Sequence, residues 1–200
     1  MRAWPPKVKK GPPAPTAFLD RDGTINRDRA GAYITAPSQL RLYAAVPAAL
    51  KLMAAKGYRI VIVTNQSGIG RGYMTAAVSK AINLKLVRDL RLAGAGVDAI
   101  YYCPHRPDEN CACRKPRPGL LREAAKDRPA VPELSFVAGD KKSDLELARN
   151  AGLKGCLVRT GQWRSSVGET AAKDGHRSLL ALARALPDLS AGTPRSKPAR

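Results

Sequence analysis

The sequence is poor in acidic and aromatic residues and has no long apolar run. Its 200 residues include 16 Asp and Glu against 35 Lys and Arg, a formal net charge of +19. Such a surplus attracts phosphate groups, whether on a metabolite, a nucleic acid or an anionic membrane. No run reaches the roughly 18 apolar residues of a membrane span, and the first residues lack the apolar region of a secretory signal. We therefore expect a cytoplasmic protein that does not bind membranes.

Aromatic residues make up 5% of the chain, and no stacking motif of a nucleic-acid-binding fold is present. A zinc-containing nucleic-acid-binding module remains an alternative interpretation of so basic a chain. Nucleic acid bound through the basic ends alone would be bound weakly and without sequence specificity.

The two ends of the chain differ in composition from its body. Residues 1–15 and 189–200 contain Lys and Arg but no acid, are rich in Pro, Gly or Ala, and have no apolar face. This composition predicts two disordered basic tails. Residues 16–188 are predicted to form a single domain, because the length demands no second core. We expect a monomer.

Short apolar runs alternate with segments of helical periodicity along the body. The predicted strands are residues 16–20, 58–64, 97–102, 134–138 and 155–159. The predicted helices cover about 46–53, 75–90, 143–150 and 178–186. This alternation predicts an α/β fold, a Rossmann-like, mostly parallel sheet in a three-layer α/β/α arrangement. Right-handed crossovers place the carboxyl ends of its strands along one edge, where ligands bind.

Acidic and polar side chains follow three of the predicted strands. Asp20 ends the first strand and Asp22 lies two residues beyond it, Thr64 ends the second, and Asp140 follows the fourth, with Asp144 four residues on. Two neighbouring carboxylates repel each other, so Asp20 and Asp22 need a cation or a shared proton. The alternatives are an ordinary Asp-Gly turn and, for Asp144, an acid that favours a helix start.

Three of the four cysteines lie within eleven residues, with a histidine between them. Cys103, His105, Cys111 and Cys113 are spaced as C-x-H, five residues, then C-x-C. This set suits tetrahedral zinc and leaves no open position, so the zinc would be structural. The spacing differs from that of a C2H2 finger. We predict a zinc loop over residues 103–116 that positions Arg114 and Lys115.

Four motifs in order resemble the haloacid dehalogenase superfamily of phosphohydrolases. They are "DRDGT" (20–24), "TN" (64–65), Lys115 within "CRKP", and "GDKKSD" (139–144), and the resemblance extends from about Ala17 to Gly161. It implies that Asp20 is the nucleophile that forms an aspartyl phosphate and that Asp22 is the general acid and base. Thr64 and Lys115 would stabilise the transferred phosphoryl group.

The resemblance also implies Mg²⁺, which favours oxygen ligands and binds carboxylates together with a substrate phosphate. Its ligands would be Asp20, the main-chain carbonyl of Asp22, and Asp140, with Asp144 as a further candidate. The gaps between the motifs are short, which implies a minimal cap.

Together with "TNQSGIGRG", "YYCPH" and "CRKPRPG", the motifs resemble the D-glycero-D-manno-heptose 1,7-bisphosphate 7-phosphatase branch. The related histidinol phosphatases are the alternative. The resemblance implies a phosphorylated sugar substrate and a product that enters lipopolysaccharide or another surface glycan. The resemblance also implies that the following residues contact the substrate: Asp28, Tyr33, Thr64, Asn65, Gln66, Ser67, Arg114, Lys115 and Lys141. Arg71 is a further candidate, as a ligand to a distal phosphate.

Overall fold

A six-stranded sheet forms the centre of the molecule. The computed structural model describes residues 2–4, 10–28, 31–168 and 173–190. The strands are β1 (Arg2–Trp4), β2 (Thr16–Leu19), β3 (Arg59–Asn65), β4 (Ala99–Cys103), β5 (Phe136–Gly139) and β6 (Lys154–Leu157). Their spatial order is β1-β4-β3-β2-β5-β6, and every neighbouring pair is parallel except β1 with β4. The mostly parallel sheet is confirmed, and the five predicted strands lie within two residues of the observed ones.

The helices follow the strands in alternation. They are α1 (Val46–Ala55), α2 (Ala76–Leu92), α3 (Gly119–Asp127), α4 (Lys142–Asn150), α5 (Trp163–Ser166) and α6 (Leu179–Ala185). Short 3-10 turns cover Pro37–Gln39, Pro107–Glu109 and Pro132–Leu134. Thr75 caps α2 by accepting a hydrogen bond from the Val78 amide, and Ser178 caps α6 in the same way. The sequence prediction omitted α3 and α5.

Two apolar clusters cover the two faces of the sheet, because side chains alternate along each strand. Leu19, Ile60 and Ile62 point to one face and pack with residues of α1, α2 and α6. Phe18 and Val61 point to the other face and pack with residues of α3 and α4. The molecule therefore has the predicted three layers, with helices on both sides of the sheet.

The strand order reverses beside β2. The chain moves from β2 through β3 to β4, and then returns to place β5 on the other side of β2. Ligands of open α/β sheets bind outside the carboxyl ends of the strands at such a reversal. Asp20 and Asp140 directly follow β2 and β5, so the topology places these two acids at that point.

The structure corrects the predicted tails. Residues 2–4 form the edge strand β1 on β4 rather than a disordered segment, since an unpaired strand edge offers main-chain hydrogen bonds. Trp4 packs against the core beside Arg91. Leu189, predicted to lie in the second tail, also packs on the core and donates to the Lys56 carbonyl. Residues 1, 5–9 and 191–200 of the predicted tails lie outside the described residues.

Among the residues that the structure describes, no helix is long and apolar enough to cross a membrane. The cytoplasmic location stays a prediction.

Candidate active site

A buried lysine links Asp20, which follows β2, to Asp144 in the first turn of α4. Lys115 Nζ donates to Asp20 Oδ1 at 2.7 Å, to Asp144 Oδ1 at 2.6 Å and to the Val63 carbonyl at 3.0 Å. Lys115 is 5% exposed and Asp20 is 3% exposed. Burial alone would lower the pKa of Lys115, but Asp144 and Asp20 outweigh it and the pKa is raised. The ammonium therefore stays charged beside Asp20.

Asn65 at the end of β3 fixes the chain around this lysine. Its amide nitrogen donates to the Lys115 carbonyl at 3.2 Å, and its amide oxygen accepts from the Lys115 main-chain nitrogen at 3.0 Å. The structure thus gives Asn65 a contact with the Lys115 main chain, which sequence reasoning had not assigned to it. Thr64 beside it is 1% exposed, and its hydroxyl accepts from Gln66 Nε2 at 2.9 Å.

Asp22 has a cation of its own, so the two acids of the first motif are neutralised separately. Arg21 donates to both carboxylate oxygens of Asp22, over 2.9–3.1 Å. Asn26 Nδ2 and Gln66 Nε2 donate to the same carboxylate at 2.9 and 2.7 Å. Burial alone would raise the pKa of Asp22, but the Arg21 charge and these hydrogen bonds prevail and lower it.

Asp140 and Lys141 face the Asp22 main chain across the site. Lys141 Nζ donates to the Asp22 carbonyl at 3.1 Å and lies 4.0 Å from both Asp20 Oδ2 and Asp140 Oδ2. Burial and the neighbouring Asp20 raise the pKa of Asp140 to about 7. The Lys141 ammonium therefore occupies a position surrounded by oxygens, which is the environment that Mg²⁺ prefers.

Two glycines leave room for the Asp140 carboxylate. A Cβ atom on Gly23 would lie 2.3 Å from Asp140 Oδ2, and one on Gly161 would lie equally close. Both residues also have positive φ, 95° and 56°. Asp144 lies in the same acidic group. Its two oxygens accept hydrogen bonds from Lys115 Nζ and from the Lys141 amide.

The predicted zinc ligands converge at the end of β4. Cys103 Sγ lies 3.5 Å from Cys111 Sγ and 3.5 Å from His105 Nδ1, and Cys113 Sγ lies 3.2 Å from that nitrogen. Zn–S bonds of about 2.3 Å in a tetrahedron imply ligand separations of roughly 3.8 Å, close to those observed. Burial raises the pKa of Cys103. A bound cation would offset the cost of ionising it.

A cavity of about 480 Å³ opens over these side chains. All of the predicted catalytic and substrate-binding residues line it: Asp20, Asp22, Asp28, Tyr33, Thr64, Asn65, Gln66, Ser67, Arg114, Lys115 and Lys141. Arg71 lines it too. Residues 29–30, between the predicted contacts Asp28 and Tyr33, lie outside the described residues.

Sequence reasoning missed several contributors to the site, among them Arg21, Thr160 and Gln162. Arg21 stands between the two acids in the sequence and was given no role. The Gln162 amide donates to Asp140 Oδ2 at 2.7 Å, and Thr160 Oγ1 donates to the Gly23 carbonyl at 2.6 Å. The position of Arg21 within the motif was the one available signal, because the other contacts join segments more than 20 residues apart.

Family models match two overlapping parts of the chain. The model described as polynucleotide kinase 3 phosphatase matches residues 15–143, and the model described as HAD-hydrolase-like matches residues 112–185. A probable D-glycero-D-manno-heptose-1,7-bisphosphate 7-phosphatase of Thermoplasma acidophilum is 49% identical over 139 residues. These cover 69% of this chain and 86% of that protein. The chain belongs to the haloacid dehalogenase-like phosphatase family.

Two further similarities support the family assignment. The D-glycero-beta-D-manno-heptose-1,7-bisphosphate 7-phosphatase of Helicobacter pylori strain J99 is 41% identical over 147 residues, covering 72% of this chain and 82% of that protein. The crystal structure of D,D-heptose 1,7-bisphosphate phosphatase from B. bronchiseptica, complexed with magnesium and phosphate, superposes with a TM-score of 0.75. The two chains are 34% identical in sequence, and the superposition covers 84% of this chain and 96% of the B. bronchiseptica chain.

Proposed function

We propose that this member of the family removes the C7 phosphate of D-glycero-D-manno-heptose 1,7-bisphosphate through an aspartyl phosphate. The observation that carries the proposal is the buried Asp20–Lys115 pair on the floor of a cavity that three further cations line: Arg71, Arg114 and Lys141. The names of the relatives described above support the choice of sugar.

Asp20 is the nucleophile in this proposal. Its carboxylate attacks phosphorus, the bond between phosphorus and the ester oxygen breaks, and the phosphoryl group stays on Asp20. Lys115 lies 2.7 Å from Asp20 Oδ1 and holds the carboxylate in place without a proton. Thr64 and Lys115 then stabilise the charge on the transferred oxygens, the main requirement of phosphoryl transfer.

Asp22 transfers the protons. It gives a proton to the departing sugar alkoxide and later takes one from the water that attacks the aspartyl phosphate, which releases inorganic phosphate and restores Asp20. Its lowered pKa keeps Asp22 ionised in the free protein. A dianionic phosphate placed beside it raises its affinity for a proton, so substrate binding prepares the acid form.

The oxygen cage around Lys141 Nζ fits Mg²⁺, with Asp20, the Asp22 carbonyl and Asp140 as the residues that would hold it. Bound there, Mg²⁺ would supply Lewis-acid stabilisation of the phosphoryl group.

Zinc is the second proposed metal. Cys103, His105, Cys111 and Cys113 would bind it as a closed structural site, since all four positions of a tetrahedron are filled by protein. Lys115 follows two residues after the last ligand. Zinc would therefore fix the segment that brings Arg114 and Lys115 to the cavity.

Competing esters provide the test of the substrate. We expect kcat/KM for heptose bisphosphate to exceed the values for histidinol phosphate and a 3′-phosphorylated oligonucleotide by at least about 100-fold. The oligonucleotide is included because of the matching family model and the net charge of +19. Both anomers of the bisphosphate should be assayed, each with Mg²⁺.

Each competing result has a definite meaning. A higher kcat/KM for either of the other two esters would overturn the heptose assignment and leave the phosphatase chemistry in place. A gel shift of nucleic acid that disappears with salt, at unchanged turnover of the sugar phosphate, would show that basic segments bind outside the catalytic cavity.

A further inference from the structure

Arg21 is completely buried beside the predicted acid and base. It is 0% exposed and is among the largest fully buried side chains of the described residues. Guanidinium groups are almost never fully buried unless they are paired, because removing the charge from water is costly. Burying a small apolar residue at this position would cost less free energy. The burial of Arg21 therefore indicates a specific task.

The guanidinium makes a two-sided contact with Asp22. Nε and Nη2 both donate to Asp22 Oδ1, at 3.1 and 3.0 Å, and Nη2 also donates to Oδ2 at 2.9 Å. Such a planar fork fixes the rotation of a carboxylate, which a single ammonium does not. With Asn26 and Gln66 also donating, the carboxylate of Asp22 is held in one orientation at the cavity wall.

Arg21 is itself anchored on two other elements. Nη1 donates to Asn83 Oδ1 on α2 at 3.0 Å, and Nη2 donates to Gln66 Oε1 after β3 at 3.0 Å. Asn83 is 0% exposed and lies on the buried face of α2 beside Ile82 and Leu86. In the described part of the chain its Nδ2 has no hydrogen-bond partner. Among the described residues, the contact with Arg21 is therefore the one hydrogen bond of the Asn83 side chain.

We infer that Arg21, anchored by Asn83 and Gln66, is a positioning residue that aims Asp22 at the ester oxygen and at the attacking water. The inference deepens the proposed function and rests on the acid and base role of Asp22. Arg21 does not line the cavity, so it acts on the substrate through Asp22 alone.

Esters with different leaving groups separate this role from mere structural support. A sugar alkoxide needs a proton as it departs, whereas p-nitrophenyl phosphate releases a phenolate that is stable without one. For Arg21→Met we expect kcat on heptose bisphosphate to fall by about 100-fold with KM little changed. The rate of p-nitrophenolate release in a single turnover with enzyme in excess, which reports phosphorylation of Asp20, should stay within about threefold of the wild type.

Two further variants complete the design. Asn83→Ala removes only the anchor and should give the same leaving-group selectivity with a smaller loss, which also covers the case in which Arg21→Met does not fold. Arg59→Met is the matched control, since Arg59 is 6% exposed on β3 and bonds to the Arg128 carbonyl, away from the cavity lining. It should lower the melting temperature and change neither reaction selectively.

Asp22→Asn, assayed with the same two esters, distinguishes the possible failures. If it shows the selective loss and the Arg21 and Asn83 variants lose both reactions equally, or neither, the positioning role is overturned and the proposed chemistry stands. If Asp22→Asn shows no selectivity, the acid and base assignment and this inference both fall. Should the wild type not hydrolyse heptose bisphosphate, histidinol phosphate serves as the alkyl ester.

Discussion

Asp20 and Asp22 are two residues apart at the end of one strand, yet they are held in different ways. Asp20 contacts the ammonium of Lys115, which is 95 residues away in sequence. Asp22 contacts the guanidinium of its neighbour Arg21 through three hydrogen bonds. A lysine is a point charge that stabilises an anion without fixing its rotation, whereas an arginine fork also fixes the orientation. In the proposed mechanism, the nucleophile Asp20 is thus stabilised by charge, whereas the orientation of the general acid and base Asp22 is fixed.

The largest expected effect comes from replacing the proposed nucleophile, Asp20. Asp20→Asn should lower kcat by at least about 10⁴-fold, because the amide cannot form the covalent intermediate. Steady-state turnover measures the loss, while circular dichroism and zinc content should match the wild type. Substantial residual turnover in this variant would refute the assignment of Asp20.

The cation of the nucleophile is tested next. Lys115→Met leaves Asp20 and Asp144 buried without their shared cation, so we expect a loss of about 3–5 kcal/mol in the free energy of unfolding. Turnover should fall as well. Urea denaturation measures the stability.

Lys126→Met provides the matched control for this loss. Lys126 pairs with Glu123 on the surface of α3, and its side chain is 74% exposed. The expected change is within about 0.5 kcal/mol, because exposed ion pairs contribute little. Equal losses for Lys115 and Lys126 would contradict the structural role of the buried pair.

The proposed zinc would act on the same lysine through the loop. Cys111→Ser should lower bound zinc well below one equivalent and reduce turnover indirectly, since the loop no longer fixes Arg114 and Lys115. Elemental analysis measures the zinc. Cys156→Ser is the comparison, because Cys156 is buried in β6 apart from the zinc ligands and should leave the metal content unchanged. Unchanged zinc in Cys111→Ser would refute the ligand set.

The smallest expected effect concerns Lys141. Its ammonium lies among the oxygens of the proposed Mg²⁺ position, so it competes with the metal while the substrate is absent. Lys141→Gln should therefore bind Mg²⁺ about tenfold more tightly by calorimetry. It should also raise KM, because a cation is lost from the cavity. Weaker Mg²⁺ binding in the variant would show that Lys141 supports the metal site rather than competing for it.

The sequence was sufficient for the parts of the site that depend on strand ends. Apolar runs located the strands, and parallel pairing then brought Asp20 and Asp140 together at one edge. The contact between Arg21 and Asn83 could not be predicted, because it forms only when α2 packs on the sheet. A polar residue on a helix gives no sign that it is buried. The edge strand β1 was missed for a similar reason, since three residues show no periodicity.

The most direct test of the account is to trap the phosphorylated protein. Wild type and Asp22→Asn are mixed with p-nitrophenyl phosphate, quenched with acid and digested, and the peptides are analysed by mass spectrometry. We expect phosphate on the peptide that contains Asp20, at low occupancy in the wild type. Occupancy should approach one equivalent in the variant, which lacks the base for the second step. Rapid release of p-nitrophenolate with no covalent phosphate on that peptide would contradict an aspartyl phosphate at Asp20.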